Sequence, residues 1–223
     1  MIRCPSDASP ARPPSDRREA LKFFNRRAII DAAAALAEER GIGGFTVSDL
    51  AERAGVSRRT IFNHFSSADD AVYARFSELL GVIVDDFVEI ADATPPPAAP
   101  STGAVFEQLA DVIERTELVR PLSHIARLLA TSENHPTTVM WAHEVLQTVT
   151  ARLTAEVAQR NPEAGSFTVT LLASSLINAL AVAFEQWVEE TGGVDTPDGR
   201  AAWQRLVRTA IDHLRHGFAR PAS

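Results

Sequence analysis

Two arginines, a threonine, an amide and a histidine stand close together in the run Arg58-Arg59-Thr60-Ile61-Phe62-Asn63-His64. On a helical wheel Ile61 and Phe65 form an i,i+4 apolar pair, and Arg59 and Asn63 fall opposite them. Thr60 and Phe62 take the flanks, and Arg58 lies near the helix start. Guanidinium groups and a planar amide on the outer face of a short helix are the side chains that reach phosphates and base edges in a DNA major groove. Arg59 is expected to read a base, because a guanidinium matches the two major-groove acceptors of guanine. The plain alternative is that these are ordinary solvent-facing polar residues. No catalytic constellation competes with either reading. His143-Glu144 opens HEVLQ, which lacks the second histidine of an HExxH zinc site, and there is no nucleophile elbow, phosphate loop or cysteine cluster. Neither enzymatic activity nor a metal or cofactor is expected.

The elements that must position this face are legible around it. Thr46 can N-cap a helix over Val47–Ala54, with Asp49 as its capping-box partner. Val47, Leu50 and Ala54 give that helix its apolar stripe, and Gly55 supplies a residue tolerant of positive φ at its end. Ser57 caps the next helix, expected over Arg58–Phe65. Ser67 caps a fourth, with Asp70 as its partner and Asp69 favourable to the helix dipole. Two short helices at a tight turn make a helix-turn-helix.

Gly41 to Asp70, together with the preceding helix RRAIIDAAAALAEERG (Arg26 to Gly41), resembles the N-terminal domain of the tetracycline-repressor (TetR) type of bacterial transcription regulator. The resemblance implies a homodimer whose first three helices bind a palindromic operator in double-stranded DNA. It also implies C-terminal helices that dimerise and enclose a small-molecule pocket, the ligand spreading the two heads and releasing the DNA. Arg58, Arg59, Thr60, Asn63, His64 and, one helix earlier, Ser48 fall on positions that contact DNA in that family. Two departures stand out. Phe62 replaces a tyrosine whose hydroxyl bonds a phosphate, and Ala68 replaces a lysine that meets the backbone; Arg26 and Arg27 are candidates to supply the missing phosphate contacts. Ala37 stands where the family usually has a phenylalanine, and Phe45 is expected to fill the vacated space.

Charge divides along the chain. The net charge is −7, yet residues 1–67 carry 11 Lys/Arg against 8 Asp/Glu, a net of +3, and the remainder a net of −10. A basic head on an acidic body suits a chain of which one end approaches a polyanion. The composition, 45% hydrophobic and 23% charged, is that of a soluble globular protein. No apolar run is read as a membrane span and the N-terminus lacks a signal-peptide pattern. With one cysteine, Cys4, no internal disulfide forms. A cytoplasmic location without membrane association is expected.

Residues 1–16, with Pro5, Pro10, Pro13 and Pro14, are expected to be a disordered tail. The helix-turn-helix domain is expected over 17–67 and a helical regulatory and dimerisation domain over 68–219, about nine helices in all and no strand. Three successive prolines break the chain after Asp92. Helix 8, about Phe167–Glu190, is apolar almost all round and should be buried on most sides. Leu176, Leu180, Phe184 and Trp187 on helix 8, with Trp203, Leu206, Val207, Ala210 and Leu214 on helix 9, form stripes that suit a four-helix dimer interface; internal packing is the alternative. A largely apolar effector would sit among helices 4 to 8, where His124, Trp141 and Asn178 are polar groups in apolar settings and Phe87 and Phe106 could form a wall; residues of these types are more often plain core, or satisfied buried polar groups, than ligand contacts. The fold class is all-α. The expected function is a ligand-released repressor. The rivals are a DNA-binding dimer without a pocket, and a carrier or enzyme with a relic head.

Overall fold

The computed structural model describes residues 16–95, 101–130, 136–162 and 165–217, with backbone alone over 136–145. Residues 1–15 of the expected tail, including Cys4, and the last two prolines of the triplet lie outside them. Among the described residues there are nine helices and no strand: α1 (Arg17–Arg40), α2 (Val47–Ala54), α3 (Arg58–Phe62), α4 (Ala68–Ala93), α5 (Thr102–Arg115), α6 (Val119–Ala130), α7 (Pro136–Arg160), α8 (Ser166–Thr191) and α9 (Pro197–His216). They form two compact units, one of Met1–Val82 with Arg127–His143, the other of Ile83–Ala126 with Glu144–Ser223.

In the first unit, α1 to α3 are set by their caps. The Asp16 carboxylate accepts from the Arg18 backbone N–H at 3.0 Å, which starts α1. Thr46 and Asp49 exchange bonds as a capping box: the Asp49 N–H donates to Thr46 Oγ1 at 3.2 Å and the Thr46 N–H to Asp49 Oδ2 at 2.8 Å. Gly55 ends α2 in the left-handed region at φ 66°, which a Cβ would disfavour. Ser67 and Asp70 repeat the reciprocal box ahead of α4, at 3.1 Å in each direction. Ile29, Ile30, Ala33 and Leu36 from α1, Leu50 from α2 and Ile61 from α3 are all buried to within 1% of complete. Ala37 is fully buried and Phe45 nearly so.

The second unit is built on α8 packed along α9. Trp187 is fully buried, and its Nε1–H donates to the Gly199 carbonyl at 2.7 Å. Its ring meets that of Trp203 edge-on, centroids 5.7 Å apart at 71°. Thr196 caps α9, accepting from the Gly199 N–H at 3.1 Å, with Pro197 in the first turn. Gly199 is required by this tight loop, since a Cβ there would stand 2.1 Å from the Val194 carbonyl oxygen. Val105, Val112, Val169, Leu176, Val207 and Ile211 continue the same core.

α8 departs from expectation. It is long and apolar enough to cross a membrane by length and composition, yet little of it is buried within the chain. Phe167, Leu171 and Val182 are exposed along it. The all-round apolar pattern was enough to suggest burial, but one chain covers only the side of α8 that faces α9 and the core.

Candidate nucleic-acid interface

α3 is five residues long, shorter than the span to Phe65 expected from the sequence. Asn63 closes it as C-cap, and the backbone then turns, with the His64 N–H donating to the Ile61 carbonyl at 2.9 Å. The i,i+4 pair is kept even so: Ile61 is fully buried and Phe65 is 7% exposed. That pair fixes which side of α3 faces the core, so Arg58, Arg59 and Asn63 point to solvent. Neither guanidinium makes an ion pair or a hydrogen bond among the described residues. Two unpaired cations and an amide on a convex helix are free to meet acceptor groups on a ligand.

The remaining DNA-face residues are differently employed. Ser48 is exposed at the start of α2. Thr60 is part-buried and its hydroxyl lies 2.8 Å from the Ser57 Oγ, within the cap that begins α3. His64 is part-buried; burial first, then the charges of Arg26 and Lys22, hold its pKa below the ordinary value of 6.5. Both effects favour the neutral imidazole, a hydrogen-bonding group, over the cation. Arg26 lies over the Phe65 ring at 4.7 Å from its centroid, joining α1 to the residue that seats α3. Arg27, named as a substitute phosphate ligand, is already paired with Asp31 at 3.3 Å and Glu78 at 3.2 Å. Both pairs are half-exposed and weak, so a phosphate would compete with carboxylates for it.

Two further ion pairs bind α2 against α1. Arg53 grips both oxygens of Glu39 at 2.9 and 2.7 Å, and Arg40 reaches Asp49 at 3.2 Å. Asp49 is held down at a pKa of about 2, chiefly by accepting from the Thr46 hydroxyl and backbone, with Arg40 adding to the effect.

Residues 29–76 match the family of bacterial regulatory proteins called tetR, over the same helices that carry this face. The match covers the helix-turn-helix region of the chain. Among curated relatives, the chain is 29% identical over 118 residues to the HTH-type transcriptional regulator BetI of Rhizobium meliloti (strain 1021), covering 46% of this chain and 58% of that protein. It is 35% identical over 74 residues to the HTH-type transcriptional repressor KstR2 of Rhodococcus jostii (strain RHA1), covering 33% and 34%. The matched parts thus span about half or less of these relatives. The fold is similar to that of the fatty acid degradation regulator FadR from Bacillus halodurans, with a TM-score of 0.60 at 22% identity, covering 88% of this chain and 97% of that one.

In the second unit, Phe87, Phe106, His124 and Asn178, named for an effector, do not gather into one site. Phe87 and Phe106 belong to the continuous core. His124 is part-buried and satisfied locally, its Nδ1 2.9 Å from the Arg120 carbonyl oxygen one turn back. Asn178, expected in an apolar setting, is exposed on α8, and its amide donates to the Ser174 carbonyl at 2.9 Å. The Trp141 side chain lies outside the described residues. Sequence reasoning missed Ser123, whose hydroxyl is buried with no hydrogen-bond partner among the described residues, because serine in an apolar helix gives no distinctive pattern. A cleft of about 270 Å³ does open in this unit, its lining including Leu118, Trp203, Val207, Arg115, Arg200 and Glu117; none of the four nominated residues with described side chains lines it.

The residues named for a dimer face divide. Leu176, Trp187, Trp203 and Val207 lie in the core of their own chain, at most 5% exposed. Leu180, Phe184, Leu206 and Leu214 pack partly against that core, and Ala210 is part-buried. Most of the stripe therefore serves the contact of α8 with α9, which leaves the opposite side of α8 apolar and open.

Proposed function

We propose that this chain is a homodimeric transcription regulator that binds a palindromic operator and represses, and that a small, largely apolar ligand releases it. The observation that carries this reading is the pair of unpartnered guanidinium groups, Arg58 and Arg59, held outward with Asn63 by the buried Ile61. They suit a polyanion carrying base-edge acceptors, and the residues around them have no catalytic arrangement. Dimerisation is supported by α8: an apolar helix with Phe167, Leu171 and Val182 exposed is the kind of surface a second copy covers, giving a two-fold interface. A two-fold pair of heads matches a two-fold site, with half-sites about one helical turn, ~34 Å, apart. α4 contributes residues to both units, so an effector in the second would have a continuous helix through which to bias the first. To shift the population it must favour the released state. As a regulator the protein would act in the cytoplasm.

Selection of bound duplexes from random DNA is the test. The reading expects an enriched inverted repeat; a pool that never enriches would overturn it. The closed packing of Phe87 and Phe106 in the core favours a second reading, in which the dimer is governed without a small molecule. A melting-temperature screen against apolar ligands separates the two: no shift with any compound supports the second.

A further inference from the structure

Phe62 is the side chain on α3 that the account so far leaves unemployed. Its ring is 54% exposed, although a phenylalanine in a stable fold is normally covered. It lies one turn after Arg58 and Arg59 and next to Asn63, so the three polar groups expected to meet DNA surround it. The buried apolar residues of this short helix and the turn after it are Ile61 and Phe65, while Phe62 stands out from the core. Loss of the tyrosine hydroxyl removes one backbone bond and leaves an apolar ring at the centre of a cationic surface.

The major groove offers one apolar group for such a ring, the 5-methyl of thymine. We infer that Phe62 reads a thymine methyl in each half-site, making it a specificity-determining residue and the apolar counterpart of Arg59. This rests on the reading of α3 as the DNA-contacting helix. The charge around the ring selects the occupant, because Arg58 and Arg59 draw in a polyanion and disfavour an apolar protein surface at the same place. Burying one methyl group against the ring corresponds to about a fourfold gain in affinity per half-site, from the usual value of a buried carbon. Two half-sites give roughly tenfold or more.

The experiment uses the full-length chain and a duplex recovered by selection from random DNA. Each thymine of the half-site is replaced in turn by deoxyuridine, which removes the methyl and leaves every hydrogen-bonding group in place. Binding is followed by fluorescence anisotropy. The wild type should lose about fourfold at one thymine position per half-site. Phe62→Ala should bind the thymine and uracil duplexes alike at that position, and keep the wild-type response elsewhere. Phe62→Leu, which retains an apolar side chain, should keep part of the discrimination and guards against a defect peculiar to alanine. Circular dichroism should show both variants folded as the wild type, since the ring is half-exposed. If no uracil substitution weakens the wild type, or if Phe62→Ala pays the full penalty, the methyl contact is wrong while the DNA-binding reading stands. If the wild type enriches no sequence at all, both fall.

Discussion

Replacing Arg59 with alanine should change what the protein recognises and leave its stability alone. The side chain is exposed and makes no ion pair or hydrogen bond among the described residues, so nothing in the fold is lost with it. The expected change in unfolding free energy is within about 0.5 kcal/mol, as for other surface substitutions. A bidentate guanidinium–guanine pair is worth roughly 1–3 kcal/mol of discrimination. Each copy of the chain would bring one such pair, so discrimination against an operator changed in one half-site falls by about 1–3 kcal/mol, and against one changed in both by about 2–6 kcal/mol if the two half-sites add. The assay is competition anisotropy with duplexes changed one base pair at a time, repeated over a series of salt concentrations. The variant should bind the cognate duplex and the duplex altered at the Arg59 position equally, while it still discriminates at other positions. Uniform weakening across all duplexes, with the log–log salt slope shallower by about 2 for two lost phosphate contacts, would show that Arg59 only holds the backbone.

Three further outcomes follow from the geometry. Val182→Glu places a charge on the open apolar side of α8; the chain should stay folded, because Val182 is exposed, but sedimentation should show a monomer, against the dimer proposed for the wild type. Trp187→Phe removes the 2.7 Å bond to the Gly199 carbonyl and leaves a gap beside Trp203, for an expected loss of about 2–4 kcal/mol in urea unfolding; under 1 kcal/mol would mean the α8–α9 contact does not depend on it. The folded pKa of Asp49, about 2, lies below its ordinary 3.8, so its contribution is present above pH 3.8 and is lost as pH falls toward 2. The stability gap between wild type and Asp49→Ala, read by circular dichroism, should therefore close over that window and stay constant from pH 5 to 7.

Legibility in the sequence followed the range of the interactions. The capping boxes of Thr46 with Asp49 and Ser67 with Asp70 are local, span three residues, and place α2 and the start of α4 where they were expected. The side of α3 that faces out was readable for the same reason, since Ile61 and Phe65 set it from within one turn. The end of α3 was not, because the apolar pair survives a turn at Asn63 as well as a continuous helix would keep it. In the second unit the periodicity of α8 and α9 identified apolar stripes but not what covers them. Trp187 and Trp203 meet each other within one chain, and the same spacing would serve a contact between copies. Asn178 and His124 looked like groups needing a ligand, but each finds a carbonyl one turn back in its own helix, and linear pattern does not separate that case from an unmet need.

The central claim is that α3 is presented twice, by a symmetric pair, to a two-fold DNA site. Native mass spectrometry and anisotropy with a selected duplex, alongside the same duplex with one arm scrambled, test it most directly. The account predicts two chains on the intact duplex and a loss of affinity of the order of a hundredfold or more when one arm is scrambled, since half of the base and phosphate contacts go with it. One chain per duplex, bound equally well with either arm destroyed, would contradict it.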